Sequence, residues 1–153
     1  MLNQILYLTF ITFLPFLELR VSIPYGINVL KMAWPNVFII CVIANIILGI
    51  LIYFLLDKFV HFFLRYKIFS TPYNKIVLKT QKNIQKYVDK YGELGVALFI
   101  GVPLPGSGVY SGALGAYVIG LKFKKFIIAD IIGVLIAGTI VTIISTGVLQ
   151  LTT

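Results

Sequence analysis

Two apolar stretches of this chain stop short of the length a membrane helix needs. Each runs into prolines together with charges or glycines, and each is followed by a long unbroken apolar run. The first interruption spans Leu14, Pro15, Glu18, Arg20, Pro24 and Gly26; the second spans Val102, Pro103, Pro105, Gly106, Ser107 and Gly108 and leads into Tyr110, Ser111 and Gly112. Lipid offers no water to a freed backbone group, so irregular chain at membrane depth persists only where protein covers it or a cavity wets it. Paired interruptions at matching places in two halves point to a transporter site built from broken helices. The pattern predicts solute movement across a membrane.

Composition agrees with that class. Of 153 residues, 59% are hydrophobic and 12% charged, and the mean hydropathy of +1.01 leaves too little polar surface to coat a soluble globule. The expectation is one all-α integral membrane domain over 1–153: repeat one at 1–57, a basic linker at 58–91 and repeat two at 92–153. Cys41 stands alone in an apolar run and reads as packing. Met1 to Leu14 lacks a basic n-region and a small-residue cleavage site, and is expected to remain as mature structure.

A helix of that length reaches only about 21 Å against a hydrocarbon core of about 30 Å. Residues 1–31 are therefore either one poor span or a re-entrant hairpin with its tip between Pro15 and Pro24, and the interruption favours the hairpin. Ala33 to Leu56 is the clearest span, with Trp34 as an interfacial anchor and Asp57 and Lys58 closing it. From Asp57 to Lys90, eight basic residues oppose two acidic ones, which places the linker in the cytoplasm. There Lys75, Lys79, Lys82, Lys86 and Lys90 form one stripe opposite Tyr73, Val77, Ile84, Tyr87 or Val88, and Tyr91, an amphipathic helix on the inner leaflet or a plain solvated connector. Repeat two follows the same plan: a short arm at Leu94 to Val102, the break, a return arm at Val109 to Leu121, and a span from Phe126 to about Leu149. Re-entrant breaks would leave the two repeats inverted relative to each other. Ile43-Ala44-Asn45-Ile46-Ile47 in the first span echoes Ile128-Ala129-Asp130-Ile131-Ile132 in the second.

Several residues are costly where they stand. An ionisable side chain at membrane depth costs roughly 2.5 to 3.5 kcal/mol unless it finds a partner or water, which singles out Glu18 and Arg20. In an unwound segment the two would face the same way. Arg20 would then hold a phosphate or carboxylate, and Glu18 would carry a coupling proton; the alternative is a structural ion pair, within the segment or reaching across to the other hairpin. Gly106, Ser107 and Gly108 let backbone approach an anion at a helix start, with Tyr110 beside them. Ser111, Gly112, Gly115 and Ala116 continue a small face that equally serves helix packing. Asp130 reads as a second proton-coupling group, or as an acid favouring the positive end of its helix near Lys124 and Lys125. Pro15, Pro24, Pro103 and Pro105 are the expected structural breaks.

Enzymatic readings lack their residues. A rhomboid-like protease would need glycine where Pro105 stands and an embedded histidine, whereas His61 lies in the linker. Paired intramembrane aspartates, a His-Glu-x-x-His helix and a P-loop are all missing. No metal or other cofactor is expected. The net charge of +8 is accounted for by inner-leaflet topology rather than by nucleic acid.

With Pro15-x-x-Glu18-x-Arg20-x-x-x-Pro24-x-Gly26 in one half and Pro103-x-Pro105-Gly106-Ser107-Gly108 in the other, the chain resembles the small multidrug export protein family, itself similar to the DedA or VTT superfamily. That resemblance implies two re-entrant hairpins entering from opposite faces. For the superfamily it implies translocation of lipid-linked phosphates such as undecaprenyl phosphate, or lipid scrambling, driven by the proton-motive force. The stretch from Pro105 to Gly115 lacks the arginine typical of DedA proteins there, leaving Arg20 as the basic group at depth. The leading expectation is an ion-coupled transporter or flippase of the cell membrane for an anionic or amphipathic lipid-like solute. The alternatives are an exporter of cationic drugs caged by Glu18, Tyr25 and Tyr110, and a non-transporting lipid-organising scaffold. Membrane lipids, the solute and a second copy in a homodimer are the expected partners.

Overall fold

A computed structural model describes residues 2–15, 17–63, 88–104 and 107–152. All the regular structure among them is helical. The first element, α1 (Leu2–Phe13), is twelve residues long, about 18 Å, and so too short to span. Thr9 donates to the Ile5 carbonyl at 2.9 Å, and the Thr12 hydroxyl lies 2.8 Å from that of Leu8. The helix stops because Leu14 tightens to a bond with Ile11 and Pro15 has no N–H to continue the ladder.

After a tight turn in which the N–H groups of Leu17 and Glu18 both reach the Leu14 carbonyl, α2 (Glu18–Pro24) begins and passes directly into a π-helical turn at Tyr25–Val29. This corrects the expected break. The chain is not unwound from Pro15 to Pro24; the interruption is confined to the turn before Glu18, and Pro24 sits inside the helix. Past Pro24 the ladder resumes with the Tyr25 N–H on the Val21 and Ser22 carbonyls, and the turn that follows is wider, the Leu30 N–H bonding five residues back to Tyr25 at 3.0 Å. Glu18 opens this helix from a left-handed conformation with Arg20 in its first turn, and both side chains reach the second break.

The long helix α3 (Trp34–Phe63) runs past Asp57 and Lys58, which the sequence suggested would end it. The linker residues 64–87, and with them the lysine stripe from Lys75 to Lys86, lie outside the described residues. A second π turn, Val88–Gly92, leads into α4 (Glu93–Gly101). Val102, Pro103 and Leu104 follow without regular structure, and beyond them come α5 (Val109–Val118) and, past a turn with Gly120 at φ 75°, α6 (Phe123–Thr152).

The packing is reciprocal between the halves. Helix α1 lies on α2 and α3 as α4 lies on α5 and α6, α2 crosses onto α6 as α5 crosses onto α3, and α3 meets α6 at the centre. Leu8, Leu19, Ile23, Ile100, Val109 and Phe126 fill the core. At Gly133 a Cβ would come within 2.7 Å of the Ala97 carbonyl oxygen, so only glycine lets α4 and α6 touch backbone to backbone. Tyr53 on α3 stacks on Phe126 at 4.7 Å and donates to the Leu121 carbonyl at 2.5 Å, tying the turn before α6 to the other half.

Two stretches, Trp34–Phe59 and Phe123–Gly147, are long and apolar enough to cross a membrane. Their outward residues agree: Ile39, Ile43, Ile47 and Leu51 repeat at helical steps on the exposed face of α3, as Ile128 and Ile132 do on α6. A continuous apolar exterior of this kind suits lipid, not water.

Candidate functional site

Glu18 opens α2 with φ 46°, the left-handed region, which costs a residue with a Cβ roughly 1 to 2 kcal/mol. That conformation sends its side chain into the second half of the protein. The carboxylate, only 4% exposed, receives the N–H of Val109 on Oε2 at 3.2 Å and the N–H of Tyr110 on Oε1 at 3.3 Å. These are the first amides of α5, which have no partner within their own helix, and a negative group there also meets the favourable end of the helix dipole. Gly108 occupies the N-cap position without a side chain to offer, and Glu18, some ninety residues away in sequence, supplies the acceptor in its place. Gly108 makes the approach possible: it holds φ 137°, and a Cβ there would come within 2.5 Å of Glu18 Oε2.

Arg20 does the complementary work. Its Nη1 donates to the Leu104 carbonyl at 2.6 Å, and its Nη2 to the Val102 carbonyl at 3.2 Å and the Ser107 hydroxyl at 3.0 Å. Val102 and Leu104 lie where α4 ends, so the cation faces carbonyls at the negative end of a helix. Ser107 Oγ sits 2.6 Å from the Val102 oxygen and 2.9 Å from the Leu104 oxygen, with one proton for either, and receives the Leu104 N–H at 3.3 Å. The favour is returned: Tyr110 donates its hydroxyl at 2.6 Å to the carbonyl of Phe13, the last residue of α1. Behind Glu18, the Thr12 hydroxyl lies 2.8 Å from Ser22 Oγ as well as from the Leu8 carbonyl, with one proton for either, and Ser22 donates to the Glu18 carbonyl at 3.1 Å, all buried.

The two interruptions therefore meet, acid on amides and base on carbonyls. A family model described as "Putative small multi-drug export protein" matches residues 18–140. The chain belongs to this family. No curated protein and no solved structure matches. The stretch matched to the small multi-drug export family opens at Glu18 and takes in Arg20, the second break and Asp130. Family description and apolar helices together support membrane transport.

For this family member the structure brings Glu18, Arg20, Ser107, Gly108 and Tyr110 together. Pro105 and Gly106 lie outside the described residues. Tyr25 packs against Tyr7 with ring centroids 5.6 Å apart, while Tyr110 turns to Phe13, so the two tyrosines expected in a cationic cage have separate partners. In the small-residue face of α5, Gly112 and Ala116 are buried, Gly112 directly against Ile100, whereas a Cβ at Gly115 would meet nothing. Asp130 stands apart on α6, buried against Gly49 of α3. Thr12, Ser22 and the Phe13 carbonyl were not singled out from sequence. A hydroxyl in an apolar run gives no signal, because it can always bond its own helix.

Alongside Tyr110 a groove of about 590 Å³ runs between α3 and α5, lined by Ile52, Leu55, Leu56, Phe59, Tyr110, Ser111 and Leu114. Its size is that of a small-molecule site, and its walls are almost wholly apolar.

Proposed function

We propose that this protein is a proton-coupled transporter of anionic, amphipathic, lipid-like solutes, in which the solute's anion takes the place of the Glu18 carboxylate on α5. The observation that carries this reading is the seat of Glu18 on the Val109 and Tyr110 amides: a carboxylate there stands where a phosphate or carboxylate headgroup would bind. Protonation removes the charge that strengthens both bonds, so an incoming anion competes for the two amides. The partly exposed Arg20 keeps a positive charge beside the vacated helix end. Tyr110 belongs both to the amide pair and to the apolar groove, so a headgroup at its N–H has room for its chain between α3 and α5. A polyprenyl phosphate fits that description.

The reciprocal packing of the halves supports two inverted repeats whose broken arms are re-entrant, each break covered by the other half as lipid requires. The basic linker at 58–91 then lies in the cytoplasm.

The linkage has a sign. Proton and anion bind together, so they travel in the same direction, and net export needs the solute's own outward gradient. The test is flux of a fluorescent short-chain polyprenyl phosphate in proteoliposomes with an imposed pH gradient. Wild-type flux should follow the proton gradient, and Glu18→Gln, which keeps an acceptor but no titratable group, should run at a rate indifferent to it. Gradient dependence that persists in Glu18→Gln overturns the reading.

A further inference from the structure

At the centre of the fold, where α3 and α6 meet, the echoed five-residue motifs put two polar side chains into the apolar core. Asn45 is 1% exposed and Asp130 is fully buried. Both Asp130 carboxylate oxygens and the Asn45 side-chain oxygen are without a hydrogen-bond partner among the described residues. The carboxylate lies against Gly49, one turn beyond Asn45 on α3, where a Cβ would come within 2.5 Å of either oxygen. The approach thus depends on glycine facing aspartate.

All three unpartnered atoms are acceptors, and mid-helix amides of α3 are already spent on their own ladder. A bare carboxylate in such a place is strongly unfavourable unless a positive species neutralises it. The surrounding elements bring little. From α2, Glu18 acts on Asp130 as a like charge, and Arg20 is committed to the second break. Helix α3 carries Cys41, buried one turn before Asn45, and Tyr53, bonded to Leu121, with Asp57 and Lys58 towards its far end. The ionisable residues of α4 and α5 are Glu93 at the start of one and Tyr110 and Tyr117 on the other. On α6 itself, Lys124 and Lys125 lie in the first turn.

We propose that Asp130 and Asn45 form an occluded site for one monovalent cation, a proton or Na⁺, between the two long helices. The cation neutralises the carboxylate and binds across equivalent positions of the two halves, where a relative shift of α3 and α6 would make or break it. The site rests on the transport reading only for what its cation drives, not for its binding.

The measurement is thermal unfolding of the purified full chain in detergent, over a pH series in choline chloride and again with Na⁺ replacing choline at constant ionic strength. A ligand that binds only the folded state raises the midpoint with its concentration. A rise with Na⁺ assigns sodium, and a rise on acidification that Asp130→Asn removes assigns the proton. Asn45→Leu, which keeps the carboxylate, should require about tenfold more cation for the same shift. Glu18→Gln should keep the Asp130-dependent shift, which separates this site from the exchange at the breaks. A wild-type midpoint indifferent to both cations overturns the proposal. So does a dependence that Asp130→Asn and Asn45→Leu both leave unchanged.

Discussion

The two breaks solve the same problem in opposite ways. The first is a tight turn that bonds its own backbone and opens a helix on two charged side chains. The second carries no charge in its sequence, and the helix ends on either side of it are completed by those charges from the other half. One half supplies portable charge and the other supplies backbone poles. A broken helix buried in lipid therefore need not carry its own caps, because a partner segment can deliver both.

The harshest way to break that comparison is to exchange the charges. If Glu18 and Arg20 served mainly as a pair for each other, the Glu18→Arg, Arg20→Glu double variant would be tolerated. With Glu18 on amides and Arg20 on carbonyls, the exchange instead sets a cation against free amides and an anion against carbonyls. We expect a loss of more than about 4 kcal/mol, read as failure to unfold cooperatively in detergent. Next comes Gly108→Ala, which combines a strained φ with a Cβ driven onto the Glu18 carboxylate; a loss of about 3 kcal/mol in thermal or denaturant unfolding is expected. Tyr110→Phe removes one reciprocal bond, from the second half to the end of α1, and should cost about 1 kcal/mol with the breaks still engaged. The smallest effect is expected at Gly115, on the same helix as Gly112 but facing open space. Gly115→Ala should leave stability unchanged or raise it by up to about 1 kcal/mol, whereas Gly112→Ala must displace Ile100 and lowers it. Equal effects at the two glycines would show that α5 does not turn Gly112 onto Ile100 and Gly115 away from it.

Much of the architecture was legible in the chain of residues alone. Apolar run length separated the two long helices from the short arms, and the prolines flagged both interruptions. Pro24 misled, because a proline removes one donor but does not by itself end a helix; whether the chain breaks or widens depends on what the neighbouring turn can rebond. The end of α3 was also misjudged at Asp57, since a charge at an interface stops a hydrophobic run without stopping a helix. Glu18 and Arg20 stood out because charge is rare at depth. Their partners did not, since backbone amides and carbonyls leave no mark in a sequence.

What the sequence determined by itself is the inventory: helices too short to span, helices long enough to do so, charges isolated in apolar surroundings, and glycines where contact is close. These follow from local chemistry, from hydropathy, proline's missing donor and the cost of an unpaired charge. Which charge meets which helix end was decided only by the tertiary structure. Glu18 capping α5, Arg20 closing α4 and Asp130 meeting Gly49 beside Asn45 all join residues from opposite halves of the chain. Such pairings depend on how the crossed halves pack, and that packing is a property of the whole fold rather than of any segment.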